Sequence, residues 1–119
     1  LAERWVESAV AEGALVSTAA DYLQKCLSRH AQLWLIRDED QTVGAGITEI
    51  YDTPKGLTCA VPVLAATDFG VLRVLFEELE LWARAEGCVR LEGYGRFGWV
   101  RALKTSGWRP IAAVIEKDI

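Results

Sequence analysis

One long amphipathic segment bounds what this chain can fold into. Between Asp68 and Glu86, the residues Leu72, Leu75, Phe76, Leu79, Trp82 and Ala83 recur at the spacing of a single helical face. Arg73 with Glu77 and Glu80 with Arg84 are i,i+4 pairs on the wet side, and Gly87 supplies a C-terminal stop. The flanking segments, "LTCAVPVLAA" at 57–66 and "CVRLE" at 88–92, read as strands. A helix joining two strands is a crossover, so those two strands are expected to lie parallel in one sheet.

The remaining elements fall around that unit. "AQLWLIRD" (31–38) and "TVGAGITEIYD" (42–52) form a hairpin about the polar turn "DEDQ", and "TPKG" (53–56) returns the chain into the third strand. Upstream, residues 2–11 place Trp5, Val6, Ala9 and Val10 on one helical stripe, stopped by Gly13. A second helix is expected at 18–29. Ser17 or Thr18 can cap it, Asp21 sits in its first turn, and Tyr22, Leu23, Cys26 and Leu27 form its apolar side. Downstream come a short helix at about 98–106 and a last strand, "PIAAVIEKD", at 110–118. The expected order is α-α-β-β-β-α-β-α-β: an α/β (α+β) chain with a central mixed sheet, helices on both faces, and one domain over 1–119. Pro62 stands in the middle of the third strand, where it cannot donate to a ladder. It marks an edge, a bulge or a place where neighbouring strands part.

Composition narrows the function classes. The formal charge of −4 argues against generic DNA or RNA binding, which rests on phosphate neutralisation by Lys and Arg. No apolar run approaches the ~18 residues of a membrane helix. "LAERWVESAVAEG" has acids where a secretory signal has a basic end, and it begins with Leu rather than Met, which leaves the native start open. Cys26, Cys59 and Cys88 are widely spaced, and with His30 the sole histidine they offer neither a metal-ligand spacing nor a disulfide framework. No metal is expected. Free thiols suit a reducing cytoplasm, and His30 reads as a solvated cap at a helix end.

"GYGRFG" at 93–98 matches the spacing G-x-G-x-x-G between a strand and a helix, with Glu116 or Asp118 about 20 residues on. A dinucleotide fold needs several further strands, and the chain after Gly98 has room for one helix and one strand. The plainer reading is that Gly93 and Gly95 end a strand that is closely approached, while Gly98 helps start the helix.

The element order, with "LWLIRDEDQTVGAGITEI" (33–50), "WARAEGC" (82–88), "GRFGWVRALKTSGW" (95–108) and "VIEKDI" (114–119), resembles the GNAT superfamily of N-acetyltransferases. In texture it is closest to small GNAT-like proteins of bacteriophages and prophages. The resemblance covers most of the chain, and it implies an acetyl-CoA cleft where two parallel strands splay apart. The cofactor would lie along the free edge of the third strand, at Val63, Leu64 and Ala65. Its pyrophosphate would dock on the N-terminus of the long helix, at Asp68, Phe69, Gly70 and Val71. The chain departs from the family pattern in that turn. Ala65 stands where a Gln or Arg is usual, and Asp68 stands where a Gly is usual. Leu103 takes the position of the Tyr that returns a proton to the leaving thiolate.

Amine acetylation needs a route for an ammonium proton and polarisation of the thioester carbonyl. Glu49 shares a strand face with Val43, Ala45 and Ile47 and is the candidate base; the plain alternative is a strand-end carboxylate in water. Glu92 and Tyr94 share the face opposite Leu91, beside the expected cleft, and Tyr94 is a candidate replacement for the missing acid; its alternative is a sheet-end aromatic. Arg96, Arg101, Lys104 and Arg109 form a basic cluster suited to CoA phosphates or an acidic partner, or equally a solvated helix face. Trp99 and Trp108 are expected to pack. Two readings follow. One is an N-acyltransferase using acetyl-CoA on a small-molecule or protein amine. The other is a non-catalytic accessory or virion protein acting through protein contacts, in the host cytoplasm if phage-encoded.

Overall fold

The computed structural model describes residues 18–94 and 97–119. The helix expected at 2–11 and the side chain of Arg96 lie outside the described residues.

The hairpin and the return strand form as their alternation requires. Strands β1 (Gln32–Asp38), β2 (Gln41–Thr53) and β3 (Gly56–Ala66) make an antiparallel meander, and β4 (Arg90–Gly93) joins β3 in parallel to give the order β1-β2-β3-β4. Helix α1 (Ala19–Leu27) precedes the sheet, α2 (Phe69–Ala85) is the crossover between β3 and β4, and α3 (Phe97–Leu103) continues into a 3-10 turn at Lys104–Ser106.

Each helix covers the face its pattern predicts. On one side, Tyr22, Leu23 and Cys26 of α1 pack on Ile47 and Val63. On the other, Leu75 and Leu79 of α2 meet Val61, Trp34 and Ile36. Leu72 and Phe76 extend that second layer to Leu103, Trp99 and Trp108, with the Phe76 and Trp108 rings 5.0 Å apart. Both ends of the argument for α1 hold: Thr18 accepts from the Asp21 amide while Asp21 accepts from the Thr18 amide, a reciprocal capping box. Leu27 departs from its expected place on the apolar side and is 80% exposed. The chain leaves the helix there, with Arg29 at φ 66°, and Ala31 enters the core in its stead.

The expected last strand at 110–118 does not form. Residues 108–119 carry no regular secondary structure, and Ile111, Val114 and Ile115 are 58%, 75% and 90% exposed. Pro110 opens that segment without an N–H, and β4 presents only Arg90–Gly93 as an edge to pair with. A short edge gives too few hydrogen bonds to order a strand whose other edge faces water. Trp108 remains anchored nevertheless. A Cβ on Gly93 would come within 3.3 Å of its ring, so the first glycine of "GYGRFG" lets Trp108 approach the strand end closely, as the plainer reading expects.

The phase of α2 is testable by truncation. Leu79 is 0% exposed whereas Leu81, two residues on, is 61% exposed. Leu79→Ala is expected to lower the unfolding free energy by about 2–5 kcal/mol, while Leu81→Ala stays within about 0.5 kcal/mol of the parent. Urea denaturation of the two variants measures the contrast, and equal losses would refute this packing.

Candidate active site

The sheet opens in the middle of β3. The parallel ladder to β4 runs from Thr58↔Arg90 to Val61↔Gly93 and stops, while β3 continues to Ala66. On the opposite edge, Ile47 pairs with Val63 and Glu49 with Ala60, so Thr48 alone faces both Val61 and Pro62. That is a β-bulge. Pro62, which has no N–H to lose, sits in it. The bulge keeps Ala60 and Val63 on the α1 side of the sheet. It also bends β3 away from β4 just where pairing ends.

The gap between the strands is the mouth of a cleft of about 1390 Å3 on the α2 side. Pro62, Leu64 and Ala65 line its β3 wall; Asp68 and Phe69 line the start of α2; Trp99 and Trp108 line its floor. Val63, expected beside the cofactor, does not line the cleft; its side chain is 3% exposed in the α1 core. At the helix start, the amides of Phe69 and Gly70 have no intrahelical carbonyl to bond. The third first-turn amide, that of Val71, is already taken: Asp68 Oδ1 accepts from it at 2.9 Å. Asp68 is therefore the N-cap of α2 and sets a carboxylate at the place where the helix dipole would otherwise favour an anion. Gly70 lies close to the same group, with a notional Cβ 3.1 Å from Asp68 Oδ1. Of the expected basic cluster, Arg109 lines the cleft, as do Lys55, Arg84 and Arg90 from elsewhere, whereas Arg101 is exposed on α3 and does not. Leu103, in the position where the resemblance would place a tyrosine, is buried against Leu72 and Phe76.

A second, smaller pocket of about 410 Å3 opens on the α1 side. Tyr22, Lys25, Glu49, Tyr51 and Tyr94 line it, and Pro62 and Tyr94 border both cavities. The two cavities share the Pro62 and Tyr94 walls at the strand gap, and the smaller one holds Glu49 and Lys25 among three tyrosines. Glu49 is half-buried and paired: Lys25 Nζ donates to Glu49 Oε1 at 3.2 Å, and lies 5.6 Å from the centre of the Tyr22 ring.

Beside the gap, Glu92 gathers three donors. Its Oε1 accepts from the Tyr51 hydroxyl at 2.6 Å and from the Tyr94 hydroxyl at 2.7 Å, and its Oε2 accepts from Arg90 at 2.9 Å. The Glu92 side chain is 15% exposed. Burial would raise its pKa, but the hydrogen bonds from Tyr51, Tyr94 and Arg90 outweigh burial and hold the carboxyl below its ordinary value. The same bonds act in reverse on the phenols. Donation to Glu92, and then burial, pushes both Tyr51 and Tyr94 above the usual tyrosine range. Glu92 is consequently a firm anion and a weak base, and Tyr94 a phenol that keeps its proton at working pH.

The structure brings Glu49, Glu92 and Tyr94 to one side of the strand gap and Leu64, Ala65, Asp68 and Phe69 to the other. It adds three residues that sequence reasoning passed over. Tyr51 follows Glu49 on the same strand face, and Arg90 precedes Glu92 on its own; two-residue alternation contained both. Lys25 follows Tyr22 by one helical turn, but nothing in its spacing points to Glu49 across the sheet. Among the described residues, no His, Cys, Asp and Glu side chains gather as a metal-ligand group, and no helix is long and apolar enough to cross a membrane. Cys26, Cys59 and Cys88 are free thiols, and burial pushes the Cys59 thiol up to about 12.

The Glu92 cluster makes an acid-sensitivity prediction. A carboxyl lowered in the folded state stabilises the fold above its ordinary value of 4.5 and loses that contribution as pH falls through the lower native value. Between about pH 5 and pH 2 the parent should therefore lose more stability than Glu92→Gln. Thermal unfolding across that range compares the slopes, and parallel slopes would remove the cluster as a stabilising anion.

No family model and no curated protein sequence matches the chain. Solved structures do. A predicted acetyltransferase from Clostridium acetobutylicum, solved with acetyl-CoA, is 9% identical with a TM-score of 0.73, over 98% of this chain and 87% of that one. An acetyltransferase from Trypanosoma brucei is 13% identical with a TM-score of 0.71, over 98% and 89%. An aminoglycoside 6'-N-acetyltransferase from Acinetobacter haemolyticus is 14% identical with a TM-score of 0.65, over 98% and 90%. At such identities the likeness is one of architecture, and with the parted parallel strands it establishes a GNAT-like fold for this chain.

Proposed function

We propose that this protein is an acetyl-CoA-dependent N-acyltransferase acting on a small-molecule amine. The observation that carries the reading is the strand gap beyond Val61 and Gly93, whose neighbours Pro62 and Tyr94 line both the long cleft and the pocket of Glu49. Support comes also from the fold's neighbours: one was solved with acetyl-CoA, and another is named for its action on an aminoglycoside.

The residues present fit such a cofactor at the β3 end and oppose it at the helix end. The open backbone edge at Val63, Leu64 and Ala65 offers amide and carbonyl groups to an extended, amide-bearing arm, much as an added strand would use them. Phe69 and Gly70 supply two free amides for a pyrophosphate, and Asp68 sets a like charge beside them. Arg96 and Arg101 were the expected anion partners. Arg96 lies outside the described residues, and the exposed Arg101 would reach only groups in solvent at the cleft's margin. When bound, acetyl-CoA supplies an acetyl thioester as electrophile.

The chain's own groups divide the remaining work. Glu49 attracts the acceptor's ammonium and takes a proton from it. The rings of Tyr22, Tyr51 and Tyr94 favour a cation at the same pocket. Tyr94 lies next to the gap, and its hydroxyl would reach the departing sulfur only by turning its one proton away from Glu92, which otherwise fixes the ring's position. The alternative, a non-catalytic accessory role for a phage or prophage protein, draws no support from the neighbours described above.

Thermal unfolding with acetyl-CoA, and with ATP as an anion control, tests the reading. Ligand at about a hundred times its dissociation constant stabilises a fold by about 2.7 kcal/mol, which is several degrees for a domain of this size. A shift with acetyl-CoA alone is expected; none at millimolar ligand would overturn the proposal. Asp68→Ser keeps an N-cap oxygen and removes the charge. It should tighten acetyl-CoA binding by roughly threefold to tenfold in calorimetry, and unchanged affinity would show that Asp68 does not oppose the cofactor.

A further inference from the structure

The pocket of Glu49 already holds an amine. Lys25 Nζ lies 3.2 Å from Glu49 Oε1, the carboxylate assigned to receive the acceptor's proton, and faces the Tyr22 ring as a substrate cation would. The other walls of that pocket, Pro62 and Tyr94, are shared with the cofactor cleft. The lysine is not built in as a buried structural charge, because its side chain is 45% exposed and the pair is worth little to stability at such a site. Its stem rises from α1, which is fixed on the sheet through Tyr22, Leu23 and Cys26. Lys25 is therefore a primary amine delivered by the fold to the base, beside the opening through which an acyl group would be presented.

We infer that Lys25 is a site of self-acetylation. The inference rests on the acyltransferase reading above and goes beyond it by naming the chain itself as an acceptor. Lys25 Nζ forms a C–N bond to the acetyl carbon of bound acetyl-CoA, and the C–S bond breaks. Of the two protons the ammonium gives up, one leaves through Glu49 to water and one ends on the CoA thiol. Holding the amine at the base replaces a bimolecular encounter by an intramolecular one, which favours Lys25 over any lysine free in solvent. The product has a regulatory consequence. Acetylation removes the lysine's charge and its claim on Glu49, so the carboxylate becomes free for an external amine.

Lys104 and Lys117 are exposed, lie outside both cavities and serve as internal standards. Two labelling reactions, both mapped by peptide mass spectrometry, test the inference together. With trace acetic anhydride and no cofactor, Lys25 should be modified more slowly than the two standards, because its nitrogen is engaged by Glu49; Glu49→Gln should abolish that protection. With acetyl-CoA the order should invert. Lys25 should gain acetyl at least about tenfold faster than the standards, at a rate independent of protein concentration, and Glu49→Gln should remove the preference.

Absence of protection toward acetic anhydride would mean the Lys25–Glu49 contact is not made, and would overturn the inference. So would thermal stabilisation by acetyl-CoA without preferential labelling of Lys25, or a labelling rate that scales with protein concentration. Failure of acetyl-CoA to stabilise the fold at all would instead remove the acyltransferase reading, and self-acetylation with it.

Discussion

Everything at the candidate site follows from a failure of pairing at one residue. Pro62 has no N–H, and the bulge around it sets Val61 and Pro62 against the single residue Thr48. Past that point β3 keeps its bonds to β2 but loses its partnership with β4. An antiparallel sheet can absorb such a bulge because its remaining ladder is long. The parallel ladder is short, and it ends. The exposed backbone edge and the cleft above it are two aspects of this one break.

The two sides of the break have different electrostatics. On the α2 side, a helix N-terminus that would welcome an anion is capped by Asp68, so stability of the helix and attraction of a phosphate compete for the same amides. On the α1 side, Glu49 is paired with Lys25 alone, whereas Glu92 is held by two phenols and a guanidinium. The two carboxylates thus differ in the number of donors each accepts, and Glu92 is a fixed negative charge around which Tyr51, Tyr94 and Arg90 are arranged.

Much of the framework was legible in the residues. Leu72, Leu75, Phe76, Leu79 and Ala83 placed the crossover helix and its buried face, and the flanking apolar runs placed the parallel pair. Pro62 marked an edge, a bulge or a parting of strands, and the structure has both a bulge and a parting there. The last strand was misread because "PIAAVIEKD" has strand composition but needs an edge, and the length of β4 is not a property of that segment. Leu27 was assigned to an apolar stripe whose end depends on where the chain turns toward Ala31. At the site, Glu49, Glu92 and Tyr94 followed from alternation along single strands.

The sequence by itself determined the order of elements from the capped helix at Ala19 to the short helix at Phe97, the buried face of the crossover helix and a disturbance of β3 at Pro62, because these depend on periodicity and on the missing N–H of proline, which are local. Only the tertiary structure decided which groups meet: Lys25 with Glu49, Tyr51 and Tyr94 with Glu92, Trp108 with Gly93. Those contacts join residues from different elements across the sheet, and their partners are chosen by register and by the bulge. Neither is encoded at either residue alone.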